Sequence, residues 1–179
     1  MSRNYAYADP PYLGLGKRLY GKHHPEAAIW DDIETHKQLI DSLCVYDGWA
    51  MSLTSGSLQK ILPLCPSDVR VAAWVKPFAS FKPGVNPGYA WEPVIFRGSR
   101  KRTRDEDTVR DWVAANITLK KGLPGAKPHQ FCLWICDLLG YEQGDTLTDI
   151  FPGTGSMQTA LDSLEVDSWK QAPLFLEAL

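Results

Sequence analysis

An aspartate followed by two prolines and a tyrosine, Asp9-Pro10-Pro11-Tyr12, is the stretch of this 179-residue chain best suited to chemistry. An amino group on an aromatic base is a poor nucleophile, because its lone pair is delocalised into the ring. Two acceptors held side by side can bind its two hydrogens and draw the nitrogen towards tetrahedral geometry. Asp9 offers a carboxylate and Pro10 a carbonyl, and the Pro10-Pro11 step stiffens the loop that carries them. Tyr12 offers a ring to stack on a flat base, and a base flipped out of a duplex needs such a face. Standing alone, Asp-Pro-Pro is also a common strand terminator.

A second stretch, Asp149-Ile150-Phe151-Pro152-Gly153-Thr154-Gly155-Ser156, reads as a strand that enters a glycine turn and then a helix. Glycines let a backbone approach a ligand closely, and the carboxyl end of such a strand opens into a ligand crevice. The segment is not GxGxxG, because Gln158 stands at the third position, and no Gly-Lys-Ser or Gly-Lys-Thr makes it a phosphate loop. On its own it also reads as a left-handed turn between a core strand and a helix.

The elements that must position these stretches alternate. Residues 4–8 read as a strand ending at Asp9, and 13–24 as a Gly-rich basic loop. Residues 25–46 read as one helix, with Pro25 and Glu26 at its start. Strands follow at 48–54, 69–76 and 90–96, with a short helix at 57–64 between the first two. Pro93 marks the last of these strands as an edge or a bulge. A short element is expected near 109–115. A helix at 129–139 ends on Gly140. A strand at 146–151 and a helix at 155–164 complete the pattern. Such alternation predicts an α/β fold, a mostly parallel sheet covered on both faces, in one domain over 1–179.

Formal net charge is −2, which argues against a generally basic nucleic-acid-binding surface. The charge is uneven, however. Arg97, Arg100, Lys101, Arg102 and Arg104 crowd one stretch, and Lys17 and Arg18 follow the Asp9 loop. Either group can hold phosphates, or be a solvated face. Cys132 and Cys136 lie among apolar residues and read as buried thiols, and no Cys or His set has zinc spacing, so no metal is expected. Four Cys and an N-terminus without a signal-peptide apolar region suit a reducing, cytoplasmic setting. The tryptophans read mostly as core, with Trp74 or Trp91 available to line a base pocket.

Together and in this order, the two stretches resemble the DPPY and FxGxG motifs of amino-group nucleic-acid methyltransferases that use S-adenosylmethionine (SAM). The order matches the permuted class, and the small size resembles solitary phage or prophage enzymes. The resemblance implies a Rossmann-like fold in which Asp9, Pro10, Pro11 and Tyr12 are catalytic. It implies that Asp149, Phe151, Gly153, Gly155 and Ser156 floor the SAM pocket. Lys127-Pro128 resembles the upstream segment that packs on the methionine part of the cofactor. Residues 90–96 look like the strand that follows the catalytic loop in these enzymes. The aspartate form of the tetrapeptide implies N6 of adenine, in DNA or RNA, rather than N4 of cytosine.

The chain departs from the family after Gly155. The family continues through two more strands, one ending in an acid that binds the cofactor ribose. Glu165 or Asp167 would stand in here. Residues 97–126 form a small recognition region. A homodimer or a partner subunit would then complete the site in a bacterial or phage-infected cell. The rival expectation is a catalytically inactive relative that binds nucleic acid or a partner.

Overall fold

The computed structural model describes residues 1–22, 24–77, 84–118 and 126–166, with the side chains of 165 and 166 excepted. Six strands form one sheet in the order β5-β3-β4-β2-β1-β6. They are β1 (Asn4–Ala8), β2 (Gly48–Ser52), β3 (Arg70–Val75), β4 (Trp91–Arg97), β5 (Trp112–Ala114) and β6 (Thr146–Asp149). The helices are α1 (Gly16–Tyr20), α2 (Ile33–Leu43), α3 (Ser55–Ile61), α4 (His129–Leu139) and α5 (Ser156–Val166). β1 pairs in parallel with β2 on one side and β6 on the other, and β3 pairs in parallel with β5. Only β4 is reversed, antiparallel to both β2 and β3. The fold is thus the expected α/β type with a mostly parallel sheet.

Side chains alternate across the sheet, and β1, β2 and β4 each feed two cores. Tyr5, Tyr7, Ala50, Trp74, Val94 and Phe96 pack against α4 and α5, around Phe131, Ile135 and Met157. Ala6, Ala8, Trp49, Met51 and Ile95 pack on the other face with Leu39, Ile40 and Leu43 of α2 and Ile61 of α3. Cys132 and Cys136 are both buried and unpaired, and burial pushes the Cys132 thiol up to about 12. Trp49, Trp74 and Trp134 are core residues as expected, whereas Trp91 and Trp112 are exposed.

Local chemistry explains the element ends. Thr54 caps α3 by accepting the Gly56 N–H at 3.0 Å, a contact worth about 1 kcal/mol. Gly140 ends α4 at φ +70°, and a Cβ there would meet Arg100 Cβ at 2.6 Å. Both the turn and the close approach therefore require glycine.

Three expectations need correcting. The helix read over 25–46 is broken: Pro25–Asp31 is a 3-10 helix, and α2 starts only after Asp32, whose carboxylate accepts the Glu34 N–H at 3.1 Å. The loop read over 13–24 contains α1. Its first amides, Gly16 and Lys17, donate to the Asp31 carboxylate at 2.8 and 3.1 Å, a long-range cap. Pro93 lies inside the sheet, not at an edge. Its carbonyl accepts the Leu53 N–H at 3.2 Å, so its missing N–H faces the point where β2 has already ended. The bond forgone is the reciprocal one to the Leu53 carbonyl, just past the last residue of β2. Among the described residues no helix is long and apolar enough to cross a membrane.

Candidate active site

β1 and β6 lie side by side, with Tyr7 opposite Asp149. The two stretches singled out in the sequence therefore leave the same edge of the sheet from adjacent strands. They open into one cavity of about 400 Å³, lined by Asp9, Pro11, Lys127, Asp149, Phe151 and Gly153 among others. Tyr20, His24, Glu26 and Trp30 supply its opposite wall. The sequence does not single out those four, because no spacing rule ties the segment after the Asp9 loop to the far end of the chain.

The floor is built by local rules. The Ile150 N–H continues the β6 ladder onto the Tyr7 carbonyl at 2.9 Å. The Asp149 carboxylate then accepts the Phe151 N–H at 3.1 Å, an Asx turn that stops the strand. Phe151 is held edge-on against Trp30, ring centres 5.1 Å apart. Gly153 and Gly155 take φ of +43° and +71°, and the Gly155 N–H closes the turn onto the Pro152 carbonyl at 2.6 Å. Ser156 then opens α5 and lines the cavity, as Gly155 does not. Burial raises the Asp149 carboxyl above its ordinary value.

The wall around Asp9 is a cluster of charges. Lys127, just before α4, donates from Nζ to Asp9 Oδ1 at 2.8 Å and to the Tyr12 hydroxyl at 3.0 Å. Its ammonium also lies 3.6 Å from Glu92 Oε2. The single Tyr12 hydroxyl proton goes to Glu92 Oε2 at 2.8 Å, which leaves the 3.2 Å approach to Asp9 Oδ1 as a weaker alternative. Glu92 is in turn bonded to Lys76. The reversed direction of β4 explains how Glu92 arrives: the strand begins where β1 and β3 end. Trp74 lies under both Lys76 and Lys127, at 4.7 and 5.7 Å from its ring centre.

Both protein contacts to Asp9 fall on Oδ1. Among the described residues, no donor reaches Oδ2, and the Pro10 carbonyl accepts no hydrogen bond. Burial pushes the Asp9 carboxyl up, against the pull of Lys127. Burial works against the Lys127 ammonium, yet Asp9 and Glu92 together hold it above its usual value. Glu92 is lowered: burial opposes its charge, but Lys127 and Lys76 outweigh it.

The sequence groups Lys127 with the cofactor floor. It does line the cavity, but its donors are turned to Asp9 and Tyr12. Pro128 precedes α4 as its N-cap residue. Tyr12 has its hydroxyl tied into the charge cluster, which fixes the ring. Glu92 and Lys76 escape a sequence reading altogether, because only the antiparallel strand brings them near Asp9. Lys17 and Arg18 follow the Asp9 loop, exposed on α1.

The stretch 97–104 is not brought to this site. β4 runs the other way, so Arg97 leaves the opposite edge of the sheet. Arg97 pairs with Asp68 at 2.8 Å. Arg100 pairs with Asp145 at 2.6 Å and donates to the Gly140 carbonyl at 3.0 Å, closing the end of α4. Glu165, offered as a ribose acceptor, lies on α5 without a described side chain, and Asp167 lies outside the described residues. Glu26 and Asp149 are the acids that line the cavity beside Asp9.

No protein-family model matches the chain, and no curated protein matches its sequence. Solved structures match its fold. The crystal structure of an M1.HpyAVI–SAM complex superposes with a TM-score of 0.60 at 13% identity, covering 92% of this chain and 79% of that one. A crystal structure of M1.HpyAVI gives 0.55 at 12% identity, with 92% and 77% covered. The likeness shows that this chain shares the Rossmann-like α/β fold of those structures.

Proposed function

We propose that this protein is a SAM-dependent methyltransferase that modifies the exocyclic N6 amine of adenine in DNA. One observation carries the reading. An aspartate with a carboxylate oxygen that no donor reaches among the described residues and a glycine turn leave adjacent parallel strands and share one cavity. The neighbour solved with SAM has the same fold over nearly all of this chain, which supports SAM as the cofactor.

The cavity fits such a group. Its volume lies within the range of small-molecule sites, about 300–1,000 Å³. Gly153 brings bare backbone to its floor, Phe151 and Trp30 give it aromatic walls, and Asp149 and Glu26 are acceptors for hydroxyls or amines. Those residues would hold SAM, which supplies an electrophilic methyl group when bound.

The remaining work belongs to the protein. Asp9 Oδ2 and the Pro10 carbonyl accept the two amine hydrogens and so localise the nitrogen lone pair. These contacts strengthen as positive charge develops on nitrogen, which is the condition for lowering a barrier rather than merely binding. Pro11 keeps the acceptors rigid. Tyr12, anchored through its hydroxyl, offers its ring to the flipped base. Lys17 and Arg18, exposed beside the loop, are the cations available to the nucleic-acid backbone.

The test is transfer of labelled methyl from SAM to unmethylated genomic DNA, with RNA in parallel, followed by nucleoside analysis. Label in N6-methyldeoxyadenosine is the expected result. Label on cytosine, on RNA alone, or nowhere overturns the assignment.

A further inference from the structure

We propose that Lys127 is a positioning residue for Asp9, clamping one carboxylate oxygen so that the other faces the substrate amine, with Glu92 as the counter-charge that keeps Lys127 in place. The inference rests on the methyltransferase reading, but most of its test does not.

The geometry is specific. The Lys127 side chain is only 8% exposed, and two of its three N–H groups are taken by Asp9 Oδ1 and the Tyr12 hydroxyl. Its remaining side faces Glu92, 3.6 Å away. A buried ammonium is retained only where carboxylates compensate it, and here two do. Lys76 then compensates Glu92, so two cations and two anions balance. Lys127 bridges the loop after β1 and the start of β4, and it leaves Asp9 Oδ2 untouched.

The arrangement also answers a difficulty at Asp9. A neutral carboxylic acid would turn a donor towards the amine, so the group must be ionised to accept. Burial works against that ionisation, and Lys127 is the strongest opposing influence. The other groups facing Asp9 do not help in the same way. Glu92 from β4 raises it, and Tyr12 on its own loop, whose proton goes to Glu92, lowers it only through the weaker 3.2 Å approach. Tyr7 of β1, Tyr20 of α1, Cys132 of α4 and Asp149 of β6 are also within electrostatic reach. Each is neutral or negative.

The experiment is carbon-detected NMR titration of the carboxyl groups in the full chain and in K127M, K127R and K127Q. The Asp9 midpoint should rise by about one unit or more in K127M. It should stay within about half a unit in K127R, which keeps the charge, and rise in K127Q as in K127M. The acid limb of turnover against pH should move upward in K127M with the Asp9 midpoint. S-adenosylhomocysteine affinity should change less than about threefold, under ~0.7 kcal/mol. An unmoved Asp9 midpoint in a folded K127M overturns the clamp and leaves Lys127 a purely structural residue. A loss of cofactor affinity with that midpoint unmoved returns Lys127 to the cofactor site. If K127M does not fold, K127Q, which keeps a polar side chain without the charge, decides: an Asp9 midpoint that fails to rise overturns the proposal. Absence of methyl transfer by the unmodified protein would sink the proposed function, while the titration still decides the clamp.

Discussion

Asp9 and Asp145 lie at opposite edges of the same sheet, each beside a cation, and the protein treats them in opposite ways. Asp145 accepts the Arg3 N–H at 2.8 Å, the Glu142 N–H at 2.9 Å and the Arg100 guanidinium at 2.6 Å. Burial works against its charge, but these donors outweigh it and hold the carboxyl below its ordinary value. Among the described residues Asp9 is contacted on one oxygen only, and burial leaves it raised. Asp145 is a saturated joint that locks the start of β6 to the end of α4. Asp9 is an acceptor left unfinished at the mouth of a cavity. Full satisfaction marks the stabilising edge of the sheet, and incomplete satisfaction marks the chemical one.

That contrast can be broken by exchanging the two aspartates for neutral residues. Asp9→Ala should lower methyl transfer by about 10²–10³-fold or more, with S-adenosylhomocysteine affinity unchanged by calorimetry. Asp9→Asn should be equally impaired in turnover, and less stable than the parent at neutral pH, because it takes one of two compensating carboxylates from the buried Lys127 ammonium. Near-normal turnover in either variant would make Asp9 a turn residue.

Asp145→Ala should do the reverse. It strands Arg100 and two amides, so urea unfolding should show a loss of about 2–4 kcal/mol with cofactor affinity intact. The pH dependence has a definite sign. Asp145 is depressed in the folded state, so its contribution is complete above its unfolded value near ~4 and is lost as pH falls through the folded value. Asp145→Asn should therefore flatten the acid side of the stability profile.

Gly153→Val tests the floor. Its Cβ branch would enter the cavity from a backbone at φ +43°, and S-adenosylhomocysteine should bind at least about tenfold more weakly, ~1.4 kcal/mol. Equal binding would move the cofactor away from this turn.

The smallest effect separates the two basic groups. Neutralising Lys17 and Arg18 should reduce the salt dependence of DNA binding by about one unit of log–log slope for each phosphate they hold. Neutralising Lys101, Arg102 and Arg104, at the far edge, should leave that slope alone. The opposite pattern would place the nucleic acid on the wrong edge for Asp9.

Much of this is legible in the chain. β1, β2, β3, β4, β6, α4 and α5 follow from apolar runs bounded by Gly and Pro, and Gly140 marks its helix end. The meeting of the Asp9 and Asp149 loops follows from the chemistry their residue types demand. Local pattern cannot show the break at Asp32, because both halves of that segment have helical spacing. Nor can it show α1, whose amino end is capped by Asp31 from another element. The interior position of Pro93 depends on where β2 stops. The pairing of Lys127 with Asp9 spans 118 residues and has no local signature. The basic stretch misleads because clustering in sequence says nothing about which edge of a sheet a strand leaves.

The neighbourhood of β1 and β6 also has a consequence for how the protein is made. A ribosome releases β1 first among these six strands and β6 last, yet the Arg3 amide must find Asp145, 142 residues on. Until then β1 has a partner on one side only, with an open row of amides and carbonyls along the other. The loop that must be closed is long, and such pairings form slowly. The pocket cannot exist while β6 is still unmade. Both of its halves are present only when that strand docks, so its assembly reports completion of the whole sheet.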